Sequence, residues 1–160
     1  MSTREELLEA LAPVLEAIAA LDLNDAAAAR SALNARFPPD GELVAGLRAR
    51  FAAGRAARWL CDKENAGVRF SRVQKATASV GPQSLSVDAV HMSGPGPGHT
   101  HPGGEVDLCF VVDGAPRFDG ADAGWTVYPP GSWHVPTVGG GTMDILYFLP
   151  GGAIRFEPRP

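Results

Sequence analysis

Residues 94–110 read GPGPGHTHPGGEVDLCF, and the parity of side chains along this stretch decides which fold the chain can build. After Gly104 the residues alternate: Glu105, Asp107, Cys109 and Val111 fall on one side of an extended segment, Val106, Leu108, Phe110 and Val112 on the other. His99 and His101 are two positions apart, so on extended backbone both imidazoles point to one face, about 7 Å apart at the backbone. Proline and glycine on either side mark turns and keep the segments short.

The same pattern extends outward from this stretch. From Gly67 onward, strands are expected at 68–75, 84–92, 106–112, 125–128 and 142–149, with shorter ones near Arg117 and at 154–156. Strands this short, with no helical periodicity between them, close most economically into an antiparallel barrel or sandwich. Before Trp59 the pattern changes. Only Gly41, Gly46 and Gly54 of the 19 glycines lie in the first 60 residues, and the apolar spacing there is helical. Leu7, Leu8, Leu11, Val14, Leu15 and Ile18 form a stripe behind a Ser2 or Thr3 cap with Glu5 and Glu6, and Pro13 is expected to bend that helix or mark its first turn. A second helix is expected over 24–36, ended by Pro38 and Pro39, and a third over 40–58 with Leu43, Val44, Leu47 and Phe51 on its apolar side. The expected organisation is a helical region, residues 1–60, packed on a β domain, residues 61–160.

Composition narrows the function. The 160 residues are 45% hydrophobic and 20% charged, which is ordinary globular usage, and the net charge of -4 comes with scattered basic residues, which argues against a nucleic-acid surface. Cys61 and Cys109 share no CxxC spacing, so neither a disulfide framework nor a thiolate zinc cage is expected, and a reducing cytoplasm suits them. The first residues are acidic where a signal peptide needs a basic flank, and no apolar run approaches a membrane span. The expected partner is a small molecule.

All four histidines, His91, His99, His101 and His134, fall in the strand-rich half. An HxH pair alone is often a surface feature, and Glu105 alone would be a solvated carboxylate. Here the pair is followed four positions later by Glu105, and the segment YPPGSWHVP places His134 after a proline-glycine turn that can swing it back. His99, His101, Glu105 and His134 together can hold a divalent ion and leave positions open for chemistry, with Fe, Zn, Mn and Ni all admissible. His91 follows Leu85, Val87 and Ala89 in parity and is expected as a hydrogen-bonded core histidine.

On these residues the sequence resembles the cupin superfamily: His99, His101, Glu105 and Gly114 follow its first motif, and Pro129, Gly131 and His134 its second, over residues 67–157. The spacing from Glu105 to Gly114 is longer than usual, and no asparagine follows His134. Within that superfamily, RWLCDKENAGVRFSRVQK (58–75), HTHPGGEVDL (99–108), PRFDGADAGWTVYPPGSWHVPTV (116–138) and YFLPGGAIRFE (147–157) are similar to the 4-hydroxylaminobenzoate lyase family. The resemblance implies a mainly β protein with an α-helical N-terminal region and a cupin-like (jelly-roll) antiparallel β-barrel. It also implies conversion of 4-hydroxylaminobenzoate to 3,4-dihydroxybenzoate and ammonia.

That reaction breaks an N–O bond, adds water to the ring and hydrolyses an imine, so protons must move at each step. Glu105 as ligand, Asp107 as general base and Tyr128 as proton donor are the catalytic candidates, with a role for Asp107 in orienting a ligating histidine equally open. A carboxylate-bearing aromatic substrate calls for a cation, for which Arg69, Arg72 and Lys75 are available, with Arg69 on the face opposite Arg72. A solvated edge-strand charge is the alternative for each. Trp125, Trp133 and Tyr147 are candidates for an aromatic wall. A metal-dependent dioxygenase acting on a small aromatic acid and a non-catalytic binding module are the rival readings, and a homodimer is the expected assembly.

Overall fold

The computed structural model describes residues 3–160. Ser2, one of the two expected caps, lies outside them, and Thr3 takes the role. Its hydroxyl accepts from the Glu6 amide at 3.2 Å while the Glu6 carboxylate accepts from the Thr3 amide at 2.9 Å, a reciprocal cap that starts helix α1 (Arg4–Ala19). Pro13 lies within α1, which continues past it to Ala19. Helix α2 (Ala26–Arg36) is capped by Asp25, and α3 (Glu42–Ala56) follows the prolines at 38 and 39. Leu7, Leu11, Val14, Leu15 and Ile18 of α1, Leu33 of α2, and Val44, Leu47 and Phe51 of α3 are buried.

Nine antiparallel strands follow: β1 (Lys63–Asn65), β2 (Val68–Gln74), β3 (Leu85–Met92), β4 (His99–His101), β5 (Glu105–Phe118), β6 (Gly124–Tyr128), β7 (Ser132–His134), β8 (Val138–Pro150) and β9 (Arg155–Phe156). They form a six-stranded sheet in the order β1-β2-β3-β8-β5-β6 and a three-stranded sheet in the order β7-β4-β9. This is the two-sheet jelly-roll form of the expected antiparallel fold rather than one continuously hydrogen-bonded barrel. The segment expected as a separate strand near Arg117 is the end of β5. That strand runs on past register shifts at Val111/Asp113 and Gly114/Arg117 and so bends along β8. Gly114 makes the bend possible: its φ is +70°, and a Cβ there would lie 2.7 Å from the Gly140 carbonyl.

The six-stranded sheet is the middle layer. Its outer face, with Val87, Ala89, Val106, Leu108, Phe110, Leu146 and Phe148, shares one core with the three helices. Its inner face, with Val90, Met92, Cys109, Met143, Ile145 and Tyr147, forms a second core toward the small sheet. Period-two alternation along β3, the first part of β5 and the last part of β8 produces both faces from the same strands. Trp125 belongs to the outer core. Its ring packs near Phe37 and Phe148, and its indole N–H donates to the Phe37 carbonyl at 2.9 Å, so it forms no part of a substrate wall.

His91 also faces the helices. Its Nδ1 lies 2.7 Å from Asp144, whose buried carboxylate accepts from the Arg55 guanidinium of α3 at 3.0–3.3 Å. The expected hydrogen bond is there, in an ionic clasp between the α3 end and the sheet. Gly104, just before β5, has φ +89°, and a Cβ there would come within 2.9 Å of the Tyr128 carbonyl and 3.0 Å of the Leu23 side chain. The α1–α2 linker therefore sits directly against the turn that launches β5.

Phe51 is fully buried and meets Phe110 of β5 edge-on, with ring centroids 6.1 Å apart. Phe51→Ala is expected to lower unfolding free energy by about 3–5 kcal/mol, through lost transfer energy and the cavity left behind. Urea denaturation measures this, and a loss under about 1 kcal/mol would contradict the shared core.

Candidate metal centre and adjoining cavity

The small sheet supplies the imidazoles and the large sheet the carboxylate. On β4, His99 and His101 share the inner face, while Thr100 points the other way and donates to Glu157 at 2.6 Å. β7 pairs with β4 so that His134 stands opposite His99 and Ser132 opposite His101. The turn before β7 needs Gly131 at φ +80°, and its amide donates to the His101 carbonyl at 2.7 Å. Glu105 opens β5 from the facing sheet. The four donor atoms of His99, His101, Glu105 and His134 all lie within 4.8 Å of one another.

The hydrogen bonds behind the rings fix which nitrogen faces inward. His99 Nδ1 lies 3.1 Å from the Pro97 carbonyl, which can only accept. His101 Nδ1 lies 3.0 Å from the Ser132 hydroxyl oxygen, whose hydrogen is already given to the Pro129 carbonyl at 2.6 Å. His134 Nδ1 lies 2.6 Å from Asp119 Oδ2. Each neutral ring therefore carries its hydrogen on Nδ1 and turns the Nε2 lone pair into the site.

The inward atoms lack protein partners suited to them. His134 Nε2 and His99 Nε2 face each other at 3.2 Å, and His99, His101 and His134 Nε2 lie 3.4, 3.4 and 3.5 Å from the Glu105 oxygens. His101 Nε2 and both Glu105 oxygens are buried with no hydrogen-bond partner. Nitrogens and oxygens about 2.1 Å from one divalent ion, at angles between tetrahedral and octahedral, sit roughly 3.0–3.4 Å apart, so this donor set fits a cation. Buried lone pairs in such number are unfavourable without one.

The imidazoles and carboxylates act on one another's protonation. Burial alone would raise Glu105, but the imidazoles of His101, His134 and His99 beside it hold its carboxyl well below the ordinary range. Burial opposes the charged form of His134, yet Asp119 and Glu105 lift it to about 9. Burial and the neighbouring Glu105 charge push the Asp107 carboxyl well above its usual value. Asp107 faces inward, its Oδ1 buried without a partner and its Oδ2 3.5 Å from the Thr126 hydroxyl.

Asp119 is the site residue that sequence reading missed. One carboxylate takes the Tyr128 hydroxyl at 2.5 Å and His134 Nδ1 at 2.6 Å on Oδ2, and the Thr137 amide at 2.9 Å on Oδ1. These bonds hold it below the ordinary carboxylate range against the opposing effect of burial. The Tyr128 hydroxyl is thus engaged with Asp119 and steadies His134 through it, where a proton donor to substrate was expected. The FDG triplet around Asp119 reads as a turn, and only the bend of β5 brings it back to the site.

Beside the centre lies a cavity of about 580 Å³, within the range of small-molecule sites, bordered by His99, Tyr147, Phe70, Val90, Met92 and Phe156 among others. Arg72 borders it too, held by Asp88 at 2.7 and 3.0 Å. Lys75 lies beyond the end of β2, exposed and away from the cavity lining. Trp133 alternates with His134 and so turns outward, its indole donating to the Glu157 carbonyl at 2.9 Å and Arg159 lying over its ring.

His101→Ala is expected to remove most bound divalent metal, as read by elemental analysis of purified protein, and full occupancy would contradict the ligand set. Asp119→Asn keeps all four donors but exchanges the charged acceptor behind His134 for a neutral one. Metal affinity is expected to weaken about 10- to 100-fold in a competitive chelator titration, with the fold intact by circular dichroism.

Comparison with known proteins places the chain. The PnbB 4-hydroxylaminobenzoate lyase family matches over residues 9–156. A 4-hydroxylaminobenzoate lyase of Pseudomonas putida is 28% identical over 141 residues, covering 78% of this chain and 80% of that protein. One from Nocardioides sp. (strain LMS-CY) is 28% identical over 171 residues, covering 100% and 98%. Among solved structures, an RmlC-like cupin protein from Ralstonia eutropha JMP134 is similar with TM-score 0.42 and 15% identity over 54% of this chain and 58% of that one. A salicylate 1,2-dioxygenase from Pseudoaminobacter salicylatoxidans is similar with TM-score 0.40 and 13% identity over 74% and 36%. With the match running from the first helix through every residue of the histidine and glutamate cluster, this chain belongs to the 4-hydroxylaminobenzoate lyase family.

Proposed function

We propose that the protein is a lyase that takes 4-hydroxylaminobenzoate and water to 3,4-dihydroxybenzoate and ammonia. The observation that carries this reading is the family match across residues 9–156, which spans the buried donor cluster and most of the cavity wall beside it. The reaction is an internal redox exchange: the N–O bond breaks with its electron pair leaving on oxygen, the ring is oxidised as water adds next to the nitrogen-bearing carbon, and hydrolysis of the imine releases nitrogen as ammonia. No external oxidant is consumed.

His99, His101, Glu105 and His134 would hold a divalent ion, which would supply Lewis acidity to the reaction. The chain's own groups do the rest. Asp107 projects into the interior next to Glu105, and its unpartnered Oδ1 is the atom that takes and returns protons. Tyr147, almost wholly buried, has only the Met92 sulfur within reach of its hydroxyl, at 3.9 Å, and offers that hydroxyl to a ligand in the cavity. Phe70, Val90 and Met92 give a ring an apolar surface and exclude water from it. Arg72 supplies a cation for the substrate's carboxylate.

Purified protein given 4-hydroxylaminobenzoate in anaerobic buffer is expected to release ammonia, and a chelator to abolish the release. Turnover that required oxygen would instead favour a dioxygenase. Asp107→Asn is expected to retain the metal while kcat falls about 10²- to 10⁴-fold, and unchanged turnover in that variant would remove Asp107 from the chemistry.

A further inference from the structure

The inner face of the large sheet carries polar residues in one line across the strands. Arg72 on β2 stands opposite Asp88 on β3, Asp88 opposite Tyr147 on β8, Tyr147 opposite Asp107 on β5, and Asp107 opposite Thr126 on β6. With strands about 4.8 Å apart, Arg72 and Asp107 stand roughly 14 Å apart at the backbone. One end of the line lies beside Glu105, and the other reaches the β1–β2 edge of the cavity.

Two cations border that edge. Asp88 accepts from Nε and Nη2 of Arg72, which fixes one edge of the guanidinium and leaves both Nη1 hydrogens and one on Nη2. The remaining edge matches a carboxylate in two parallel hydrogen bonds. Lys63 on β1 stands opposite Phe70, so it shares the inner face and lies diagonal to Arg72. Its ammonium is 3.6 Å from Asp62, a pair in which both side chains are largely open to solvent, so that contact holds it weakly. Asp88 offsets the charge of Arg72, and Lys63 makes the edge positive.

We propose that Lys63 and the outer edge of Arg72 form a carboxylate subsite at the β1–β2 end of the cavity, so that an aromatic acid lies across the strands with its opposite substituent toward His99. This rests on the aromatic-acid reading above and adds the residue, Lys63, that makes the cavity select an acid over its neutral counterpart. Phe70 and Val90, between the two ends, border the space for the ring.

Equilibrium binding of benzoate and of benzamide, its neutral counterpart, tests the subsite on metal-loaded protein without turnover. Wild type is expected to prefer benzoate. Lys63→Gln and Arg72→Gln are each expected to weaken benzoate about 10- to 100-fold while leaving benzamide unchanged, which also shows the cavity intact. In the ammonia assay the same variants should raise KM for 4-hydroxylaminobenzoate with kcat nearly constant. Equal affinity for the two ligands in wild type, benzoate binding unaltered in the variants, or parallel loss of both ligands would each overturn the subsite. Absence of ammonia release from wild type together with an intact benzoate preference would sink the lyase reading and leave the subsite standing.

Discussion

Three imidazole lone pairs and a carboxylate, brought within a few ångströms of one another in a buried space, are the constraint around which this molecule is arranged. Left to themselves such atoms repel and lose the water that would have solvated them. The chain holds them together from outside, with a carbonyl, a hydroxyl and a carboxylate each pinning the back of one ring. Because the pins are acceptors, each neutral ring turns its Nε2 inward, an arrangement that could hold a metal ion.

The large sheet serves two masters. Its outer face is as apolar as any core and is sealed by helices, while its inner face carries Glu105, Asp107, Asp88 and Arg72. The same backbone therefore anchors the helical layer and presents the chemistry, so displacement of one is felt by the other. Arg4 and Arg30 strengthen this coupling by donating from the helices to carbonyls of Val73 and Trp125. The clasp of Arg55, Asp144 and His91 does the same at the end of α3, and its polar groups satisfy one another away from the cavity.

Much of this was legible in the sequence, for local reasons. The spacing of His99 and His101 fixes their shared face through strand parity, the alternation from Glu105 onward does the same along β5, and the split between glycine-poor helices and glycine-rich strands follows composition. What parity does not reveal is which layer a given face meets. Trp125 is therefore found against the helices and Trp133 on the outer side of the small sheet, although both sit close in sequence to site residues. Lys75 was offered only as a nearby cation, and it lies past the end of β2, outside the cavity lining. Asp119 and Lys63 were missed for a different reason: the first reaches the site only through a long-range bend, and the second lies on a strand too short and too exposed to show any alternation.

Gly104 carries a consequence beyond its own turn. Wedged between the Tyr128 carbonyl and Leu23, it leaves no space for a methyl group, and the obstacle on one side belongs to the helical layer. A smaller residue at 23 would not make room for a side chain at 104, because the Tyr128 carbonyl stands closer still and the backbone angle is unfavourable. Grafting these strands onto another scaffold without the α1–α2 linker would leave the launch point of Glu105 unsupported.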